Sequence, residues 1–189
     1  MGEAWERFLA DAARWVSPEQ IGDPDELSPP KIAVLLMRHR ELRAVGWFRI
    51  GGWARERGVR GASWFVDQRL QRLFGLDIPV NTDVGGGLYI AHTVGVTVTA
   101  TRIGRNATLV GGLTIGINGH GNGPTLGDGV YVGAGARVLG DIHLGDGVKV
   151  GANAVVLNDV PAYLTVVGAP AKPTTSSLSA ASEARELDS

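Results

Sequence analysis

Two residues able to move a proton stand fifteen positions apart near the middle of the chain: Asp77 in GLDI and His92 in YIAHTVGV. An aspartate that orients an imidazole and stabilises its protonated form makes that imidazole a general base. It can take the proton of a hydroxyl or amine as that group attacks an acyl carbon. A histidine in such surroundings is equally a surface or turn residue, so residue type and spacing alone leave both readings open. Other candidates are few. The chain has four histidines and no cysteine, which removes disulfides, cysteine nucleophiles and thiolate metal sites. A zinc-dependent hydratase built on three histidines would have only His92, His120 and His143 in this part of the chain. His143 precedes an inward-pointing Leu144 and should face outward, so no metal is expected.

The elements that must position Asp77 and His92 show themselves through a period of six. The aliphatic residues Ile78, Val84, Ile90 and Val96 are six apart. After a one-residue slip come Ile103, Leu109 and Ile115, and after a longer interruption Leu126, Val132, Val138, Leu144, Val150 and Val156. Glycine follows the aliphatic residue at Gly85, Gly104, Gly116, Gly127, Gly133, Gly145 and Gly151. A hexapeptide period predicts a parallel β-helix: three hexads form one triangular coil, with the aliphatic residue pointing into a continuous core. With about 18 residues per coil, Asp77 and His92 fall in adjacent coils, roughly 4.8 Å apart along the stack. The interruption IGINGHGNGPTLG, Ile115 to Gly127, should leave the prism as an exposed loop, where binding groups concentrate.

The 189 residues divide unevenly around residue 75: all five tryptophans precede it, and most of the 28 glycines follow it. Helical spacing predicts a first helix over residues 3–16 and another from Lys31 carrying Ile32, Leu35, Leu36 and Met37. A third covers Leu42 to Glu56, and a fourth, capped by Ser63, runs to about Phe74. SPEQ is expected as a turn or short helical start. The nine arginines between Arg38 and Arg72 fit a solvated helix face better than an anion site, and the tryptophans fit packing better than a ligand box. The expected organisation is a helical region over 1–74, a β-helix over 75–171 and a flexible polar tail over 172–189.

From Gly75 to Lys172 the chain resembles the serine acetyltransferases, left-handed β-helix acyltransferases. The stretches that carry the resemblance are GLDI (75–78), VGGGLYIAHTVGV (84–96), the run from TLGDGVYVGAGARVLG to NDVP (125–161) and VVGAPAK (166–172). LMRHRELRAVGWFRIGGWARERG (36–58) is similar to the helical lead-in of shorter members. The resemblance implies a left-handed parallel β-helix of hexapeptide repeats preceded by a small α-helical segment. It also implies acetyl transfer from acetyl-CoA, the co-substrate, to the hydroxyl of L-serine. The family's catalytic pair falls on Asp77 and His92. Its coenzyme contacts fall on Gly133, Ala134, Gly135 and Ala136, and further along on Gly151 and Ala152. Members are trimers or paired trimers, with the active site between neighbouring prisms.

Three departures lie at the acceptor end. Ala91 stands where the family has an aspartate before the histidine; TATRIG is one residue short of the usual segment and lacks its glutamate. The loop that normally closes with Arg-His-Pro reads GHGNGPTLG, with no arginine. A serine carboxylate and ammonium leaving water need paired charge or several hydrogen bonds. Ala91, His120 and Asn122 are therefore the candidate acceptor contacts, and the acceptor is either serine held differently or another small hydroxyl or amine compound. A non-catalytic scaffold is the remaining alternative, although the ending ARELDS lacks the terminal isoleucine by which many members engage a partner enzyme. The net charge of −1 gives no reason to expect a nucleic-acid partner. The opening MGEAWERFLADAAR lacks the apolar stretch of a signal peptide, and no run has the length of a membrane span. A cytoplasmic protein with no membrane partner is expected.

Overall fold

A computed structural model describes residues 2–16, 23–119 and 121–177. SPEQ, His120 and the chain beyond Ser177 lie outside the described residues. Four helices come first: α1 (Gly2–Ala13), α2 (Pro29–Arg38), α3 (Arg40–Glu56) and α4 (Ala62–Arg69), the last running into one wider turn over Leu70–Phe74. Prolines at the first positions of α2 need no intrahelical partner there. The cap of α4 is Gly61, in a left-handed conformation, and not Ser63, which lies inside the helix.

From Leu76 onward short strands wind into a three-sided parallel solenoid. One face has five strands: Leu76–Asp77, Val96–Val98, Thr114–Gly116, Arg137–Leu139 and Val155–Val156. The second has four, Asp83–Val84, Arg102–Ile103, Thr125–Leu126 and His143–Leu144. The third has five parallel strands from Tyr89–Ala91 to Thr165–Val167 and is closed by an antiparallel strand, Lys172–Pro173. All thirteen aliphatic residues of the six-residue pattern are buried, and each contributes roughly 1.5–3 kcal/mol of hydrophobic stabilisation. The pattern misleads in one place. Val96 pairs with Leu76, twenty residues earlier, and not with Ile78, because the turn bearing His92 carries two extra residues: Ile90 to Val98 is eight positions where the equivalent Leu109 to Ile115 is six. The turn Pro79–Thr82 presents Val80 to α3, where a Cβ on Gly51 would meet Val80 Cγ1 at 2.7 Å. Only glycine admits so close an approach of helix and coil.

The core of the solenoid continues without a break into Ala44, Val45, Phe48, Val66, Leu70 and Phe74 of the helices. A polar clamp adds to it. Arg49 is buried and pairs with Asp11 through Nε (2.8 Å) and Nη2 (3.0 Å), and it donates to the carbonyls of Val84 and Gly85. Asp11 also accepts the Leu88 N–H at 2.7 Å. Burial pushes the Asp11 carboxyl up, and the Arg49 guanidinium and backbone N–H groups oppose that rise. Arg14 donates to the Gly87 and Asn106 carbonyls and the Thr108 hydroxyl. The solvated-face reading of the arginines therefore fails at Arg49, which bolts α3 to the first coil. Trp15 packs between His39 and Tyr89, whereas Trp64 is exposed. The expected tail begins inside the fold: Lys172 and Pro173 pair with Val167 and Val166, and the Ser177 hydroxyl is tied to Thr165 and Thr174 carbonyls.

Candidate active site

Asp77 and His92 sit on one edge of the prism, where the six-stranded face turns into the five-stranded one. Asp77 ends the first strand of the five-stranded face, beside Thr97. His92 follows the strand Tyr89–Ala91 and begins the turn into Val96–Val98. The two turns are tied together: the Thr93 hydroxyl donates to the Phe74 carbonyl at 2.7 Å, and the Gly95 N–H to the Gly75 carbonyl at 3.0 Å. Thr93 is buried, while His92 and Asp77 are exposed. Nothing in the sequence marks Thr93, whose role shows only once the coils are stacked.

His92 has φ +64°, in the left-handed region. A β-carbon is disfavoured there, and such residues cluster at functional sites. Its turn rests on the next coil, where a Cβ on Gly111 would meet the His92 carbonyl oxygen at 2.8 Å and its Cβ at 3.0 Å. The backbone at position 111 is thus pressed against the histidine that the spacing singled out.

Asp77 is supported from the helical side. Its Oδ1 accepts from Gln71 Nε2 at 3.1 Å, a donor in the wide turn that ends α4. Asp67 lies close by: burial pushes its carboxyl up, the Val80 N–H opposes this, and the Asp77 charge adds to the rise. Among the described residues no hydrogen bond joins Asp77 to His92.

The remaining candidates divide between two edges. Gly133, Ala134, Gly135 and Ala136 occupy the same edge as His92, stacked on Gly111 and Gly112 through the Gly135 N–H bond to the Gly111 carbonyl. Gly151 and Ala152 follow one coil later; the Asn153 N–H donates to the Ala134 carbonyl. Ala134 and Ala152 face solvent, but Ala136 is wholly buried in the core, so its methyl cannot line the edge. Cβ atoms on Gly133 and Gly135 would strike Ala152 N at 2.7 Å and Asn153 Oδ1 at 2.2 Å, so coil stacking by itself demands glycine there. Ala91 is half-buried at the end of its strand beside His92.

Asn122 lies elsewhere, in the loop 117–124 that leaves the edge between the five- and four-stranded faces. Its side chain reaches Asp141 at 3.5 Å. The end of the loop tucks in, with the Thr101 hydroxyl bonded to the Gly123 carbonyl at 2.8 Å. The full width of the five-stranded face separates this loop from His92 within one chain. His143 lies on the four-stranded face, so it does not converge with His92, and no metal-binding group of three His, Cys, Asp or Glu side chains occurs among the described residues.

Residues 123–158 match the family model "Bacterial transferase hexapeptide (six repeats)". Serine acetyltransferase of Escherichia coli K12 is 32% identical over 171 residues, which is 87% of this chain and 61% of that protein. The crystal structure of Neisseria gonorrhoeae serine acetyltransferase in complex with serine superimposes with a TM-score of 0.76 at 31% identity, covering 91% of this chain and 69% of that one. The chain belongs to the serine acetyltransferase family. Its solenoid is the left-handed hexapeptide β-helix of that family. A serine acetyltransferase solved as a complex with CoA also superimposes, with a TM-score of 0.75 at 27% identity over 91% of this chain and 70% of that one. The chain spans about three fifths of the length of the E. coli relative. No helix among its described residues is long and apolar enough to cross a membrane.

Proposed function

We propose that this chain is a serine O-acetyltransferase that moves the acetyl group of acetyl-CoA to the hydroxyl of L-serine. The observation that carries the reading is the shared edge: an exposed histidine held at positive φ, with the small-residue coils of Ala134 and Ala152 stacked beyond it. His92 takes the hydroxyl proton as the serine oxygen attacks the thioester carbonyl. The C–S bond then breaks, and the imidazolium returns the proton to the departing thiolate. Asp77, one coil away, orients the imidazole and balances its charge, a contact that tightens once substrate is bound. The pantetheine arm runs along the edge, with Ala134 and Ala152 keeping the wall low and the backbones of Gly133, Gly135 and Gly151 within reach. Relatives crystallised with serine and with CoA support this choice of substrates.

The assembly we propose is a homotrimer, alone or paired, in the cytoplasm. The loop bearing Asn122 and the edge bearing His92 lie on different corners of one prism, so a second copy is needed to bring them together. The half-buried Ala91 favours a second reading, in which the acceptor is a different small hydroxyl or amine compound and the chemistry is the same. Thiol release from acetyl-CoA across a panel of small acceptors, with His92→Ala as control, decides between them. L-serine as the best acceptor supports the first reading and another compound the second. Turnover unchanged in His92→Ala overturns both, and so does the absence of turnover with any acceptor.

A further inference from the structure

The loop 117–124 offers no arginine to an acidic acceptor, but the fold brings one to the His92 edge from another coil. Arg137 follows the segment Gly133–Ala136 and stands on the outer face of its strand, in the row Asp77, Thr97, Thr114, Arg137. Its side chain turns back along the edge. Nη1 donates to the carbonyls of Gly112 (2.8 Å), Gly135 (2.9 Å) and Ala136 (3.2 Å). Gly112 is the neighbour of Gly111, which abuts His92, and the Gly112 N–H is bonded to the Val94 carbonyl at 3.1 Å. The guanidinium is therefore anchored about one coil from the histidine.

Arg137 is half-buried and has no carboxylate partner among the described residues, unlike Arg7, Arg49, Arg102 and Arg105. Three carbonyls hold one nitrogen, which leaves the Nε–Nη2 side as an open pair of parallel donors. That fork matches a carboxylate or a phosphate. The coenzyme's phosphates lie at the far end of a long neutral arm, whereas Arg137 stands near the end where acetyl is transferred. The full negative charge available there is that of an amino-acid acceptor.

Resting on the acetyltransferase reading above, we infer that Arg137 is the cationic partner of the acceptor's carboxylate. It stands in for the arginine that the loop lacks. Arg40, another guanidinium at this end, is engaged by the Leu73 carbonyl and the Phe74 ring on the helical side of Asp77.

The test compares L-serine with serinamide, which keeps the hydroxyl and loses the carboxylate, in the wild type, Arg137→Gln, Arg137→Lys and Arg40→Gln. Loss of a charge-assisted pair raises the KM for L-serine in Arg137→Gln roughly 10- to 100-fold. KM for serinamide and for acetyl-CoA stays at the wild-type value, and Arg137→Lys recovers part of the loss. Equal weakening of both acceptors, a rise confined to acetyl-CoA, or a loss of serine affinity in Arg40→Gln instead would overturn the inference. Calorimetric titration of L-serine into the wild type and Arg137→Gln, without coenzyme, measures the same pairing independently of turnover. A serine affinity that depends on Arg137 in a protein that releases no thiol condemns the catalytic reading and leaves the binding site standing.

Discussion

Gly111→Ala probes the contact on which the candidate site depends. The added Cβ would lie 2.8 Å from the His92 carbonyl oxygen and 3.0 Å from the His92 Cβ. Carbon and oxygen prefer about 3.3 Å or more, so the turn carrying His92 must move by roughly 0.5 Å. Neither contacting atom belongs to the far end of a flexible side chain, and the strand ladder pins the coils on both sides. Position 111 is not in the left-handed region, so alanine meets no backbone penalty of its own and the perturbation is steric. Overpacking of this kind costs about 1–3 kcal/mol, visible as a lower Tm. Displacement of a base from its reacting position should lower kcat by roughly 10- to 100-fold. Gly116→Ala is the control: its Cβ would meet only Thr114 Cγ2, at 3.8 Å, so Tm and kcat should hold at wild-type values. Acetyl-CoA thiol release and thermal unfolding, measured on both variants, decide the matter. A Gly111→Ala enzyme with lowered Tm and unchanged kcat would refute the reasoning, because the turn would have moved without consequence for the chemistry.

Asparagine tolerates the left-handed region, so His92→Asn should change stability by no more than about 0.5 kcal/mol while kcat falls by roughly 10²- to 10⁴-fold; retained turnover would remove His92 from the mechanism. Thr93→Val leaves the buried Phe74 carbonyl without its donor, which should cost about 1–3 kcal/mol and lower kcat with little change in the KM for acetyl-CoA. An unaltered Tm would show that the bond does not hold the two turns together. At the edge between the four- and six-stranded faces, the Arg105 backbone N–H and guanidinium hold the Asp128 carboxyl below the usual carboxylate range. Folded protein then binds fewer protons there than unfolded chain, so Asp128 adds stability above about pH 4 and loses it as the pH falls through its folded value. Asp128→Asn should therefore flatten the acid limb of a Tm-against-pH curve, and parallel limbs for the two proteins would count against this assignment.

The core was legible because the solenoid repeats one physical constraint. Every sixth residue must fill the same interior, and all thirteen such residues in the pattern do. The first-coil register was not legible, since its two extra residues fall in the turn bearing His92, where Ile90 and Val96 still read as six apart although Val98 is the residue that pairs with Ile115. Ser63 looked like a helix cap by residue type, yet the left-handed glycine two places earlier ends the preceding turn and starts α4. Arg49 looked like its neighbours until the coils supplied Asp11, Val84 and Gly85 as partners. At the site, the spacing of Asp77 and His92 placed them on adjacent coils. The positive φ of His92 was not legible, because histidine, although enriched in that region, adopts it in only a minority of cases. Arg137 carries no signal in the sequence either: it follows a segment two coils beyond His92, and only a side chain running back to the Gly112 carbonyl brings it near the histidine.

The helical region takes part in the candidate site as well as leading into it. The wide turn over Leu70–Phe74 ends α4 with Gly75 in the left-handed region, and that reversal starts the strand bearing Asp77. Gln71 from the same turn bonds Asp77, and the Phe74 carbonyl receives Thr93, next to His92. Phe74 and Leu70 are buried in the core that fills the solenoid. Aspartate and histidine are thus positioned by one short helical turn, fixed from below by core packing and from above by a buried hydroxyl. A solenoid lacking α4 would keep its repeating core but lose the groups that set Asp77 against His92. A change at the junction where helix becomes coil therefore reaches both Asp77 and His92.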